Sequence, residues 1–251
     1  MNLLKIKPVV VEFPDIKTPE YTTGVFGDWE LTIAQVPVVF GYFVGLQEIK
    51  GVNYVLRNNQ TKTVWMSLTP MELESHMPHL KLAHGHVVVG GLGMGMYLYN
   101  LCLKPEVTKI TVVEKDPDIL KAFPLFSGCH EWAGWGKVSI LHEDILSLTD
   151  AACVGLWGCD HLYVDIWPVM GDNAAVGDMQ TICKSIRPKQ ASWWCQEFDY
   201  FEHLKTKMSP EDASEKFMLD NGIPAAGHLL PNYTELTYAA MLNSLMGFMA
   251  R

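Results

Sequence analysis

Residues Val87-Val88-Val89-Gly90-Gly91-Leu92-Gly93-Met94-Gly95 join a run of β-branched apolar residues to a glycine-rich turn that opens an apolar helical stretch. Glycines at 91, 93 and 95 reach backbone conformations closed to other residues and let the main chain approach a ligand closely. A helix beginning there also presents unpaired N–H groups, so the segment suits a nucleotide-type ligand, with Gly90, Gly91, Gly93 and Gly95 as the contacting glycines. The dinucleotide spacing GxGxxG would need a small residue at 96 or 98. Met96 and Leu98 stand there, which disfavours NAD. A tight strand–helix turn without a ligand would use the same residues.

Three acids follow at the ends of later apolar runs. Glu114 closes Val112-Val113 about twenty residues beyond the glycines, where a ribose diol would lie across the sheet. Asp144, in His142-Glu143-Asp144-Ile145-Leu146, could accept the exocyclic amine of adenine while Ile145 packs on the ring; a loop aspartate capping a turn is the alternative. Asp165 ends His161-Leu162-Tyr163-Val164-Asp165 beside the glycine turn. It is the candidate for touching the reacting group or the amino-acid end of a cofactor, and Trp167 the candidate wall of a substrate pocket.

Other clusters carry weaker signals. His76, His79, His84 and His86 fall within eleven residues, but a helix-end pair followed by a strand-start pair need not converge, and no metal site is expected. His130 and His161 are available as bases, although a histidine near a strand start is usually packed or solvated. Trp193-Trp194-Cys195-Gln196-Glu197 could place an aromatic wall and Glu197 over the pocket, while strand alternation makes one tryptophan core in either case.

The elements that must position these residues change character near position 68. Before it come short β-like runs, Trp29–Val36, Val38–Leu46, Gly51–Arg57 and Thr61–Met66, with Asn58-Asn59 as a hairpin signal. They predict a small antiparallel N-terminal region over 1–68. Thr69-Pro70-Met71-Glu72 fits a capping box, with a hydroxyl at the cap, proline at the first helical position and a carboxylate three residues on, so a helix should span Pro70–Leu82. Beyond it strands and helices alternate: His86–Val89, Gly95–Leu103, Lys109–Val113, Pro117–Phe126 with Asp116 as its cap, Lys137–Leu141, His161–Asp165, Ala174–Ile186 and Ser192–Gln196. Continuous apolar strands suit a parallel sheet covered on both faces, giving a doubly wound, mainly parallel Rossmann-like α/β domain over 69–251. Ser209-Pro210-Glu211-Asp212 begins a helix from Pro210 to Asn221 closed by Gly222. Leu236–Met249 reads as either a final strand pair or a helix facing another copy.

Composition narrows the functions. The 251 residues are 49% hydrophobic and 19% charged, enough for a substantial core, and 19 Lys+Arg against 28 Asp+Glu argue against a surface that tracks nucleic-acid phosphates. Nowhere do about 18 uncharged apolar residues follow one another, and Met1-Asn2-Leu3-Leu4-Lys5-Ile6-Lys7-Pro8 lacks a secretory apolar run, so a soluble cytoplasmic protein without a membrane partner is expected. Six dispersed cysteines without a CxxC pair read as reduced thiols.

Over residues 60 to 196 these features resemble the class I S-adenosylmethionine-dependent methyltransferase superfamily, most nearly its spermidine synthase-like branch. The resemblance rests on Thr69 to His76, Gly90 to Gly95, Val113-Glu114-Lys115-Asp116, Glu143-Asp144 and Asp165 to Gly171. It implies a methyltransferase fold, S-adenosyl-L-methionine or its decarboxylated form as cofactor, a small-molecule substrate and a homodimer through the N-terminal sheet. Aminopropyltransferases carry an aspartate in the glycine loop and a second one in the catalytic loop, where this chain has Gly93 and Pro168. The expected activity is therefore methyl transfer to a small molecule at Asp165. Polyamine aminopropyl transfer and a non-catalytic nucleoside-binding or assembly role are the alternatives.

Overall fold

The computed structural model describes residues 16–35, 38–48, 51–204, 210–230 and 232–249. The expectations for residues 1–8, for Val36 and for Ser209 lie outside the described residues. Four N-terminal strands, β1 (Gly24–Phe26), β2 (Trp29–Ile33), β5 (Tyr54–Asn58) and β6 (Thr63–Ser67), form an antiparallel sheet in the order β1-β2-β5-β6. The run Val38–Leu46 is not one strand but the hairpin of β3 (Val38–Phe40) and β4 (Leu46–Glu48). Its turn is held from outside: the Glu74 carboxylate accepts the N–H groups of Phe43 (2.7 Å) and Val44 (3.0 Å).

Helix α1 (Pro70–Leu82) leads into the main sheet of β7 (Gly85–Gly90), β8 (Val107–Glu114), β9 (Val138–His142), β10 (His161–Val164) and β11 (Ala191–Trp193). Every pair in it is parallel and the order is β9-β8-β7-β10-β11. This is the Rossmann-like, doubly wound arrangement, and the strand order reverses between β7 and β10, where such sheets bind ligands.

Side chains along β7 alternate between two cores. Val87 and Val89 pack with helices α2 (Met96–Leu103) and α3 (Pro117–Ser127), whereas Val88 packs with α4 (Asp150–Leu156) and α5 (Ala175–Ile186). The first core also contains Trp29, Leu31, Leu56 and Met66, so the N-terminal sheet is packed onto the α/β layers. Asp116 caps α3 as expected, its Oδ1 accepting from the N–H of Asp118 at 2.8 Å and of Ile119 at 3.3 Å.

Two expectations change at the C-terminal side. β11 stops at Trp193, because Cys195 takes φ +59° and Gln196 starts α6 (Gln196–Leu204). The segment left open between strands and a helix is helical: after α7 (Pro210–Asn221), α8 (Tyr233–Met249) buries Leu236, Ala240 and Asn243 on one face.

Candidate functional site

Parallel register brings the carboxyl ends of four strands into line: Gly90 pairs with Val113 and Val164, and Glu114 with His142. The loops stay close because Asp165 N–H donates to Gly90 O (2.8 Å) and Gly91 N–H to Val113 O (2.9 Å). Over this edge lies a cavity of about 500 Å³, lined by Gly91, Leu92 and Gly93, by Glu114, Lys115 and Asp116, by Glu143, Asp144 and Ile145, and by Asp165, Ile166, Pro168 and Val169. Trp29, Asn58, Thr61, Thr63, Val64 and Trp65 of the N-terminal sheet form its opposite wall.

The expected acids thus converge on one space. Glu114 is 9% exposed, and each of its carboxylate oxygens accepts a backbone N–H at 2.8 Å, Oε2 from Leu92 and Oε1 from Asp116. It ties the glycine loop to the strand end, lines the cavity and keeps unused acceptor capacity on both oxygens. Asp144 has both features considered for it: it lines the cavity and its Oδ1 accepts the Leu146 N–H at 3.0 Å.

The glycines divide into two kinds. At Gly91 φ is +92° and a Cβ would run into the carbonyl oxygen of Asp165; at Gly93 φ is +50° and a Cβ would meet Met66 Sδ at 3.1 Å. Gly90 and Gly95 are not among the cavity-lining residues: a Cβ would press on the Ile145 side chain at Gly90 and on the Phe123 ring at Gly95. Most loop N–H groups are committed within the protein. Gly91 donates to Val113 O, Leu92 to Glu114, Met94 to Met66 Sδ at 3.4 Å and Gly95 to Leu92 O. A phosphate-binding turn points several such groups at its anion, so this loop serves as a wall of close approach instead.

A second cavity of about 40 Å³ adjoins the first, sharing Trp65, Gly91, Leu92, Gly93, Asp165 and Ile166 with it, and its further lining includes Glu72, His76, Tyr97, Tyr163, Trp167 and Trp194. Here the sequence reading missed the central residues. Thr69 caps α1 through a 3.5 Å contact from Glu72 N–H, but the Glu72 carboxylate lies with His76 and Asp165, one ligand-type atom of each within 4.8 Å of the others. His76 Nδ1 is bonded to Glu72 O at 2.8 Å, which turns Nε2 toward Asp165 Oδ2, 3.4 Å away. The four histidines do not converge. His84 faces Leu82 O and His86 faces Thr111, while His79 packs against Tyr163.

Burial pushes the Glu72 carboxyl up to about 8, with the Asp165 charge adding to that shift and His76 opposing it. For His76, burial works against the charged form, but the Asp165 contact and Glu72 outweigh it and raise the pKa. Burial also raises the Tyr97 and Tyr163 phenols and lowers His79. Around this cavity His76 Nε2, Tyr97 Oη and Tyr163 Oη are buried without a hydrogen-bond partner among the described residues.

The remaining candidates fall elsewhere or act indirectly. Trp167 lines the small cavity with its indole N–H donated to Asp178 (2.9 Å), and Trp194 lines it with its N–H donated to Ser75 Oγ (2.9 Å). Trp193 is core. Glu197 is fully buried away from both cavities, accepting from Tyr42 Oη at 3.0 Å. His161 is buried at the start of β10 against Ser192, and His130 packs on Trp135, so neither reaches the site. Among the described residues no helix is long and apolar enough to cross a membrane.

No family model matches the chain, and no curated protein does. Solved structures overlap parts of it. The CcbJ methyltransferase from Streptomyces caelestis matches at 14% identity over 45% of this chain and 46% of that one, with a TM-score of 0.35. An S-adenosylmethionine-dependent methyltransferase from Clostridium acetobutylicum matches at 16% over 44% and 41%, with a TM-score of 0.30. Spermidine synthase from Thermotoga maritima matches at 14% over 65% of each chain, with a TM-score of 0.37. The chain spans less than half the length of those two methyltransferases.

Proposed function

We propose that the chain binds an S-adenosyl cofactor in the large cavity and transfers its methyl group to a small molecule held at Asp165. The observation that carries this reading is the meeting of Glu114, Asp144, Gly91 and Asp165 around one cavity of about 500 Å³. In it Glu114 accepts the ribose hydroxyls, Ile145 packs on adenine, Asp144 accepts the adenine amine, and Gly91 and Gly93 bring the main chain against the tail. The cofactor supplies a methyl group already activated as a leaving sulfonium substituent. The chain then has to align an acceptor, exclude water and, where the acceptor is acidic enough, take its proton at Asp165. Trp65, Trp167 and Trp194 wall the acceptor end.

A second reading, aminopropyl transfer from the decarboxylated cofactor, is favoured by one observation. Glu72 and Asp165 line the small cavity without any lysine or arginine, which suits a cationic chain although Gly93 and Pro168 replace two expected aspartates. Isothermal titration with S-adenosylmethionine and its decarboxylated form separates the two. Binding of the first with methylation of an added acceptor pool supports the main reading, and preference for the second with putrescine turnover supports the other. Absence of binding by either at millimolar concentration refutes both.

A further inference from the structure

Two carboxylates and an imidazole share the small cavity, and their charges do not balance. With Glu72 and Asp165 ionised and His76 protonated, the partly buried cluster would carry one net negative charge. No lysine or arginine lines the cavity to offset it. The other titratable groups packed around it add no compensating charge: His79 on the same helix α1, Tyr97 on α2, Tyr163 on β10 and Cys195 after β11 are all held in their neutral forms by burial. His76 cannot turn away to relieve the imbalance, because its Nδ1 is held by Glu72 O. Its Nε2 is buried, lacks a hydrogen-bond partner among the described residues and faces the Asp165 carboxylate.

We propose that this cluster stores one exchangeable proton, which leaves when the ammonium group of a ligand enters the cavity. The proposal rests on the S-adenosyl reading above and places the ammonium of that ligand's tail at the Glu72, His76 and Asp165 corner of the small cavity, beside the tryptophans that wall the acceptor. Before binding, a neutral Glu72, a charged His76 and an ionised Asp165 sum to zero. On binding, the Glu72 O–H bond breaks, its proton passes to solvent, and the ammonium takes its place, so the sum is again zero. Through charge balance the exchange selects for an ammonium at this corner of the cavity. It also explains why a carboxylate that could complete the α1 capping box is turned inward instead. The elevated pKa of Glu72 agrees with a proton held at neutral pH.

Calorimetric titration of the whole chain with the aminopropylthio and butylthio derivatives of 5′-deoxyadenosine tests this, since the two differ by an ammonium in place of a methyl group. Each is run at pH 7 in buffers of different ionisation enthalpy, which yields the number of protons released. The expected result is release of close to one proton with the amine and none with the alkyl compound, the release fading above pH 8. Glu72→Gln should abolish the release while still binding the alkyl compound. Equal proton counts for the two ligands on the wild-type chain, which needs no variant to fold, overturn the proposal and leave the cofactor reading standing. Binding of neither ligand overturns both.

Discussion

Replacing Glu114 by glutamine separates the structural from the ligand-binding work of one carboxylate. The wild-type oxygens each accept a main-chain N–H at 2.8 Å, from Leu92 in the glycine loop and from Asp116 at the head of α3, and the side chain is only 9% exposed. In Glu114→Gln one oxygen becomes an NH₂ that faces one of those N–H donors. Hydrogen bonds to a charged acceptor contribute about 1.5–3 kcal/mol each, and a buried donor left unmatched costs about 1–3 kcal/mol. Losing one bond and weakening the other should therefore lower unfolding free energy by about 2–4 kcal/mol. For a chain of this size that is a fall in Tm of about 5–15 °C. The same change removes an acceptor for a ribose hydroxyl and should raise the Kd for S-adenosylhomocysteine by about 5- to 150-fold, corresponding to about 1–3 kcal/mol. Denaturant titration and calorimetry on the same preparation read the two effects. An unaltered midpoint would refute the loop-anchoring geometry. A lowered midpoint with an unaltered Kd would refute the ribose contact and leave Glu114 as a structural brace.

Three further substitutions probe neighbouring features. Gly91→Ala should cost about 2–4 kcal/mol, because it adds left-handed strain at φ +92° and drives a methyl into the Asp165 carbonyl. Gly93→Ala meets only the flexible Met66 thioether and should cost about 1 kcal/mol, so equal losses for the two in urea denaturation would count against this loop geometry. At Glu197, burial lifts the carboxyl from 4.5 to about 7. A raised folded-state pKa gives stability that is fully present below the unfolded value and declines as pH rises through about 7. The wild-type chain should therefore lose about 2–3 kcal/mol between pH 5 and pH 8, and Glu197→Gln should lose little of it. Parallel pH dependences in the two proteins would contradict that assignment.

The parts of the fold that could be read from sequence are those where one local pattern has one physical meaning. Val87 to Val89 and Ile110 to Val113 are buried on both sides, so they appear as unbroken apolar runs, and the acids that end such runs necessarily reach the same sheet edge. Helix α4 escaped because its seven residues bury only Leu156 and leave Val154 exposed, as is Trp157 just after it, which gives no periodic stripe. The character of α8 stayed open for the opposite reason. Its inner face carries Leu236 and Ala240, but its outer face carries Leu245, Phe248 and Met249, so polar and apolar residues do not alternate with the helical period. Glu72 was hidden by a sufficient local explanation: a carboxylate three residues after Thr69 fits a cap. Only the tertiary approach of Asp165, ninety-three positions away, gives it a different partner.

The two ends of the site are built by different means. The glycine loop and the Glu114 and Asp116 anchors belong to the sheet edge itself, so altering them disturbs the fold along with any ligand. At the other end Glu72, His76 and Trp65 project from α1 and β6, which precede the sheet in the chain. That end can change chemistry while the adenosyl end is kept, which is why the nucleoside part of the proposed ligand is easier to infer than the acceptor. On the proposed reading the charges also distinguish reactant from product. A sulfonium cofactor brings positive charge toward Asp165, whereas the thioether left after transfer has lost it, so the carboxylate holds the reactant more tightly than the product and product release is eased.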